Sequence, residues 1–283
     1  MSAVLAPGAP VPGAAAPGAA AAALKVTQGR VLRSEFTKFR SLRSTLYTLL
    51  VAVVLVIGIG ALFSAVNASQ YHTFSPADRA SFNPTGVSLA GVNFAVVAFG
   101  VLGVLVMSGE YSTGMIRSSL TAVPRRLPVL WAKLAVFAGS IFSISLVASF
   151  ISFFLGQSLL SSHHLDVTLS APGALRSVIG AALFVTVAGM IGVALGALFR
   201  NTAAGIATFA AVFFVIPPLS QLLPASIGTH LTPYLPSSAG EALWGGARDV
   251  SGALSPWTGF ALLCGYAAVL IAAAAWRLRR ADA

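Results

Sequence analysis

Gly109-Glu-Tyr-Ser-Thr-Gly-Met-Ile-Arg-Ser-Ser-Leu-Thr-Ala-Val-Pro-Arg-Arg-Leu-Pro-Val-Leu-Trp-Ala-Lys133 is the one long polar insert with a strong basic excess between two apolar runs. The run before it ends near Ser108, and the next begins behind Pro128. Each is long enough to cross about 30 Å of hydrocarbon at about 1.5 Å per residue, so the insert joins two transmembrane helices. Residues Tyr111 to Val123 are compatible with a helix, Pro124 ends it, and Arg125-Arg126 follow. A segment of this kind stands clear of lipid, where a soluble partner can grip it.

Working outward, the same reading applies to the whole chain. It is 57% hydrophobic and only 8% charged over 283 residues, with a mean hydropathy of +0.88. Soluble domains carry about a quarter charged residues, so this much apolar surface needs lipid. The expected fold is an all-α polytopic membrane protein with six spans: Leu46 to Val66, Val87 to Ser108, Val129 to Leu155, Ala174 to Phe199, Ala203 to Leu223 and Trp257 to Trp276. Pro217-Pro218 interrupts the fifth, leaving a bend or a re-entrant end as alternatives. The net charge of +10 would suit nucleic acid elsewhere, but here the basic residues flank apolar runs, so no nucleic-acid partner is expected. Fourteen of the 17 Lys and Arg fall on one side of a six-span threading, which predicts both termini in the cytoplasm. Cys264 is the only cysteine, so no intrachain disulfide can form.

Residues 1–23 are nearly all Ala, Pro and Gly and read as a disordered tail, without the basic start of a signal peptide. From Leu24 to Arg43 the sequence turns basic, and Leu32, Phe36, Phe39 and Leu42 fall on one side of a helix. An amphipathic interfacial helix touching membrane lipid is expected, the alternative being a basic flank that only sets orientation. Residues 24–283 then form one six-span domain with a cytoplasmic loop at 109–128 and an external loop at 224–255. In the external loop Ser238 to Glu241 fits a capping box opening a short helix. Arg200-Asn201-Thr202 reads as a tight hairpin in which Asn201 or Thr202 caps the next helix.

Glu110, Tyr111, Ser112, Thr113, Gly114, Met115, Ile116, Arg117 and Pro124 to Arg126 resemble, in order, the first cytoplasmic loop of the permease subunits of bacterial type 2 ABC exporters, the drug and antibiotic exporter branch in particular. The resemblance runs from Val31 to the C-terminus in segment order and is specific only in this loop. It implies a subunit of the cell membrane that moves drugs, antibiotics or lipids outward while a separate ABC ATPase subunit binds ATP and Mg, so no cofactor is expected in this chain. It also implies a second permease chain, identical or not. The coupling element would include Glu110, Tyr111, Thr113, Gly114, Ile116 and Arg117. Glu110 would pair with a basic residue of the ATPase or of the Leu24 to Arg43 helix. The alternative for Glu110 and Arg117 is plain solvation. By the same resemblance Tyr234 to Gly240 belongs to an outer gate, the alternative being a surface cap anchored by Trp244.

The chain's own chemistry is sparse. No phosphate loop of the Gly-x-x-x-x-Gly-Lys-Ser/Thr type occurs, so no ATPase activity is expected from it. His163-His164 lacks completing ligands, and no metal site is expected. No span has a midplane acid, and Lys133 and Arg176 are expected to snorkel to water, which disfavours a proton-coupled carrier. Asn93, Ser145, Ser149 and Ser152 can line a substrate path, although Ser145, Ser149 and Ser152 at i, i+4 and i+7 suit a polar packing seam better. Gly189, Gly192 and Gly196 read as packing positions. A secondary transporter or channel, or a non-transporting scaffold, are the rival functions.

Overall fold

The computed structural model describes residues 28–112, 114, 126–245 and 253–280, which are helices and their connections without a strand among them. Helix α1 (Gln28–Ser41) is followed by six helices long and apolar enough to cross a membrane. These are α2 (Arg43–Thr73), α3 (Val92–Ser112), α4 (Leu127–His163), α5 (Ala174–Phe199), α6 (Thr202–Ser220) and α8 (Pro256–Arg280). A short helix α7 (Pro236–Trp244) lies before the last span. The all-α six-span reading is thus the observed architecture. The tail at 1–23, the Thr113 and Met115 to Arg125 part of the loop, and 246–252 of the external segment lie outside the described residues.

Helix α5 is the centre. Its apolar window is 78% buried inside the bundle, against 17–33% for α2, α4, α6 and α8. It can be covered on all sides because its glycines admit other backbones. A Cβ on Gly192 would strike the Gly100 carbonyl oxygen of α3, one on Gly196 the Val104 carbonyl, and one on Gly103 the Gly189 carbonyl. Helices this close gain van der Waals contact that lipid cannot supply, which is the main driving force between spans. Phe99, Phe137, Phe184 and Phe209 fill the remaining volume and are almost fully buried.

Several boundaries differ from expectation for local reasons. The second span begins at Val92, not Val87, because Pro84–Ser88 is a separate short helix capped by Asn83, whose side-chain oxygen accepts from the Gly86 N–H at 3.0 Å. Gly91 passes so close to α2 that a Cβ there would meet the Leu55 and Val56 carbonyls. Beside it α2 widens into a π turn at Leu55–Ile59. The fifth span continues through Pro217-Pro218 to Ser220 as helix, after a π turn at Ala211–Val215. Proline lacks the N–H that closes a regular turn, and the wider winding just before the pair absorbs the mismatch. Asn201 is the cap of α6, accepting from Ala204 N–H at 3.0 Å. The capping box expected at Ser238 is not formed: α7 starts two residues earlier at Pro236, with Leu235 at the N-cap. Nor is Trp244 a surface anchor. It is 3% exposed and packs on Phe184 at 6.2 Å, so α7 is wedged against α5 and α8.

Candidate functional site

The residues that carry the inner-loop reading converge where α1, α3 and α4 meet. Helix α1 runs beside the start of α4: the Gln28 amide donates to the Pro128 carbonyl at 3.2 Å, Glu35 meets Lys133, and Phe39 meets Phe137 edge-on at 6.2 Å. These contacts advance about 16 Å along α1 and about 14 Å along α4 at about 1.5 Å per residue, so the two helices lie side by side and nearly parallel. The buried positions of α1 are Val31, Glu35 and Phe39. The expected stripe is divided: Phe39 turns into the bundle, while Phe36 and Leu42 stay half exposed, as side chains facing lipid would be. The helix rotates to present Glu35 inward because a lysine waits there.

That lysine, Lys133, does not snorkel. It is 5% exposed, and its ammonium lies 2.7 Å from Glu35 Oε2 and 3.0 Å from Glu110 Oε1. Lys38 closes the set at 2.8 Å from Glu35 Oε1 and 3.2 Å from Glu110 Oε1. Two carboxylates and two ammonium groups thus form a neutral cluster contributed by α1, the last turns of α3 and the first turns of α4. Burial alone would raise the Glu35 carboxyl, but Lys133 and Lys38 together hold it below its ordinary range. Burial likewise opposes the Lys38 charge, and Glu35 with Glu110 outweighs it, raising that ammonium. Both Lys133 and Lys38 donate to the same Glu110 oxygen, Oε1. Glu110 Oε2 is buried with no hydrogen-bond partner.

Around this cluster the same end of the bundle is tied further. The Arg200 guanidinium, at the left-handed residue after α5, sits 5.0 Å over the Tyr111 ring. The Ser108 and Thr202 hydroxyls are 2.8 Å apart, joining α3 to α6. Arg277 of α8 donates to the Leu198 carbonyl at the end of α5. Glu110 and Tyr111 therefore belong to the last turn of α3 and not to a separate loop helix. The span helix persists through Ser112 and turns off where Gly114 adopts a φ of +70°, a conformation that costs glycine little. Of the other proposed coupling residues, Thr113, Ile116 and Arg117 lie outside the described residues. Of the two partners considered for Glu110, the one present is within this chain, on α1.

The second proposed set is dispersed. Asn93 is half buried on α3. Ser145 donates to its own helix at Ile141 O, 2.6 Å away, and Ser149 is buried beside it on α4. Ser152, fully buried, lies 2.9 Å from the Val56 carbonyl in the π turn of α2 and 2.7 Å from the Ser88 carbonyl, joining three elements. Gln157, one turn on, donates to Ser88 Oγ at 2.8 Å and accepts from Val167 N–H at 2.8 Å. Sequence reasoning missed Glu35, Lys38, Lys133 and Gln157 as a polar framework. The available signal was Glu35 placed four residues from both Val31 and Phe39, a charge on an otherwise apolar face.

Helix α5 is thus enclosed at the centre of the spans, and α3 and α4 are joined to α1 at one end by buried charges. The family model described as ABC-2 family transporter protein matches residues 31–218. That is more than half of the chain, which belongs to this family. It is accordingly the permease component of an ABC transporter, a multi-pass membrane protein and not itself the ATPase, and membership implies an ABC ATPase as its partner. No curated protein matches the chain.

Proposed function

We propose that this chain is the membrane subunit of an ATP-driven exporter of the bacterial cell membrane, moving drug-like, antibiotic or lipid substrates outward. ATP and Mg are held by the separate ATPase, both termini are cytoplasmic, and a second permease chain completes the pathway. The observation that carries this reading is the charge cluster of Glu35, Lys38, Glu110 and Lys133. It fastens α1 to both helices that flank the 113–125 segment, so a push on that segment meets α3 and α4 at one shared group of charges. Glu110 and Tyr111 form the membrane-side footing of the coupling element. Thr113, Gly114, Ile116 and Arg117 make up its partner-facing part, with Ile116 filling a groove and Arg117 meeting an acidic edge. Asn93, Ser145, Ser149 and Ser152 are a secondary proposal as substrate-path residues.

The test is energetic. Co-expressed with phosphate-loop ATPases encoded near its gene, the chain should copurify with one of them. The purified complex should hydrolyse ATP faster when lipophilic drugs are added. Accumulation of ethidium in proteoliposomes of the chain alone, driven by a proton gradient without ATP, would instead make it a secondary carrier.

A further inference from the structure

The cluster poses a physical question that coupling alone does not answer. Buried ion pairs are poor devices for stability, since desolvating each charge offsets most of the attraction, and apolar side chains of similar volume often hold a fold as well or better. Here three of the four charged side chains are 5–8% exposed, and the arrangement is also unevenly satisfied. Glu110 Oε1 takes both lysines while Oε2, equally buried, takes no donor. A buried acceptor without a donor is costly, and a small rotation of the carboxylate would trade one contact for another. Each lysine already reaches a Glu35 oxygen at 2.7–2.8 Å, tighter than its 3.0–3.2 Å contact with Glu110. The Glu35 pairs form the firm half of the cluster and the Glu110 pairs the loose half.

Resting on the exporter reading, we infer that Glu35 and Lys133 are positioning residues that lock α1 to α4, and that Glu110 is the exchangeable member which lets the end of α3 change register against that locked pair during the transport cycle. The α1–α4 unit is fixed by two further contacts that involve no Glu110: Gln28 with Pro128 and Phe39 with Phe137. The end of α3 meets that unit through Glu110, whose two lysine contacts both fall on one oxygen, and in sequence it leads into residues 113–125. Motion transmitted there meets least resistance at Glu110. Two side-chain ties would move with α3: the Tyr111 ring beneath Arg200, and Ser108 with Thr202. Movement of α3 is thereby passed to the α5–α6 turn.

The experiment uses the full chain in complex with its copurified ATPase, in a Cys264→Ser background. One cysteine pair, Gln28→Cys with Pro128→Cys, reports on α1 against α4. Another, Ser108→Cys with Thr202→Cys, reports on the end of α3 against α6. Disulfide yields are compared in ADP and in ATP with vanadate. Both yields should stay within about twofold, because the locked pair does not part and Thr202 is carried along with Ser108. In Glu110→Gln, which keeps the side chain's size, basal ATP hydrolysis should continue while its stimulation by lipophilic drugs falls at least fivefold. The triple variant Glu35→Leu, Glu110→Leu, Lys133→Met, in which the 29%-exposed Lys38 can turn its ammonium to water, should melt near the parental temperature and show the same loss of stimulation. A large nucleotide-dependent fall in the α1–α4 yield would overturn the locked pair. Parental drug stimulation in both Glu110→Gln and the triple variant would make the cluster a structural tie only. A parental complex that hydrolyses no ATP would overturn the exporter reading itself, independently of these comparisons.

Discussion

At the scale of single residues, the cluster is governed by how each charge is held. Glu35 lies below its ordinary value of 4.5, so it contributes stability at neutral pH that is lost as pH falls through its lowered folded-state value. Lys38 lies above its ordinary value of 10.5, so its contribution is complete at neutral pH and lost as pH rises through the raised value. The docking of α1 should therefore be strongest across the neutral window and weaken at both extremes. The thermal midpoint of the purified protein, followed from pH 7 downward, should fall below about pH 4.5, and Glu35→Gln should flatten that acid limb. An acid limb identical in the variant would remove Glu35 from the account. Removing Lys133 alone leaves two buried carboxylates to share Lys38, with one negative charge uncompensated, which at comparable buried pairs costs roughly 3 to 5 kcal/mol. The pairing of Glu110 with a basic residue of the Leu24 to Arg43 helix was legible in the sequence, as Lys38 shows, but the parts of Glu35 and Lys133 were not. Glu35 and Lys133 are 98 positions apart, and a lysine near a span end ordinarily snorkels unless a buried carboxylate meets it.

Among the elements, the contact of α3 with α5 decides whether the bundle closes. Gly192→Ala places a methyl group against the Gly100 backbone, which cannot rotate away as a side chain would. Overpacking of this kind costs typically 1 to 3 kcal/mol, here roughly the same, while Gly265→Ala in α8, with no atom within 4 Å of the added group, should leave the protein unchanged. Thermal midpoints of the two variants in detergent check this, and equal midpoints would mean that the glycines of α5 are not packing positions. The six spans themselves were readable, because crossing lipid demands long apolar helices with satisfied backbones and few sequences meet that demand by accident. The break at Leu89 to Gly91 was not, since Val87 to Ser108 is continuous in hydropathy and the interruption is set by the close pass over α2. The wedge made by α7 was hidden for a similar reason: a short helix with one tryptophan suits an interface as well as a cleft, and only the space beside Phe184 chooses between them.

For the whole molecule, the distribution of exposed surface separates centre from periphery. Helix α5 is enclosed, whereas α2, α6 and α8 keep large apolar side chains outward, Tyr47, Leu50, Val54, Leu219, Trp257, Val269 and Trp276 among them. Such surface suits lipid, and the proposed second permease chain would cover part of it. Trp257 and Trp276 stand near the two ends of α8, with Arg280 over the Trp276 ring at 4.7 Å, as interfacial tryptophans do. The charge cluster and the end of the enclosed helix, with Arg200 over Tyr111, lie at the end of the bundle where α3 finishes at Ser112, and there an ATPase would act. The direct test of that assignment is the amount of ATPase that copurifies with the chain when Arg117 is changed to Ala. Loss of a charge paired at an interface predicts parental levels of the chain in the membrane with at least about tenfold less ATPase bound and no drug-stimulated hydrolysis. Parental copurification and parental hydrolysis in Arg117→Ala would contradict the claim that this segment receives the ATPase.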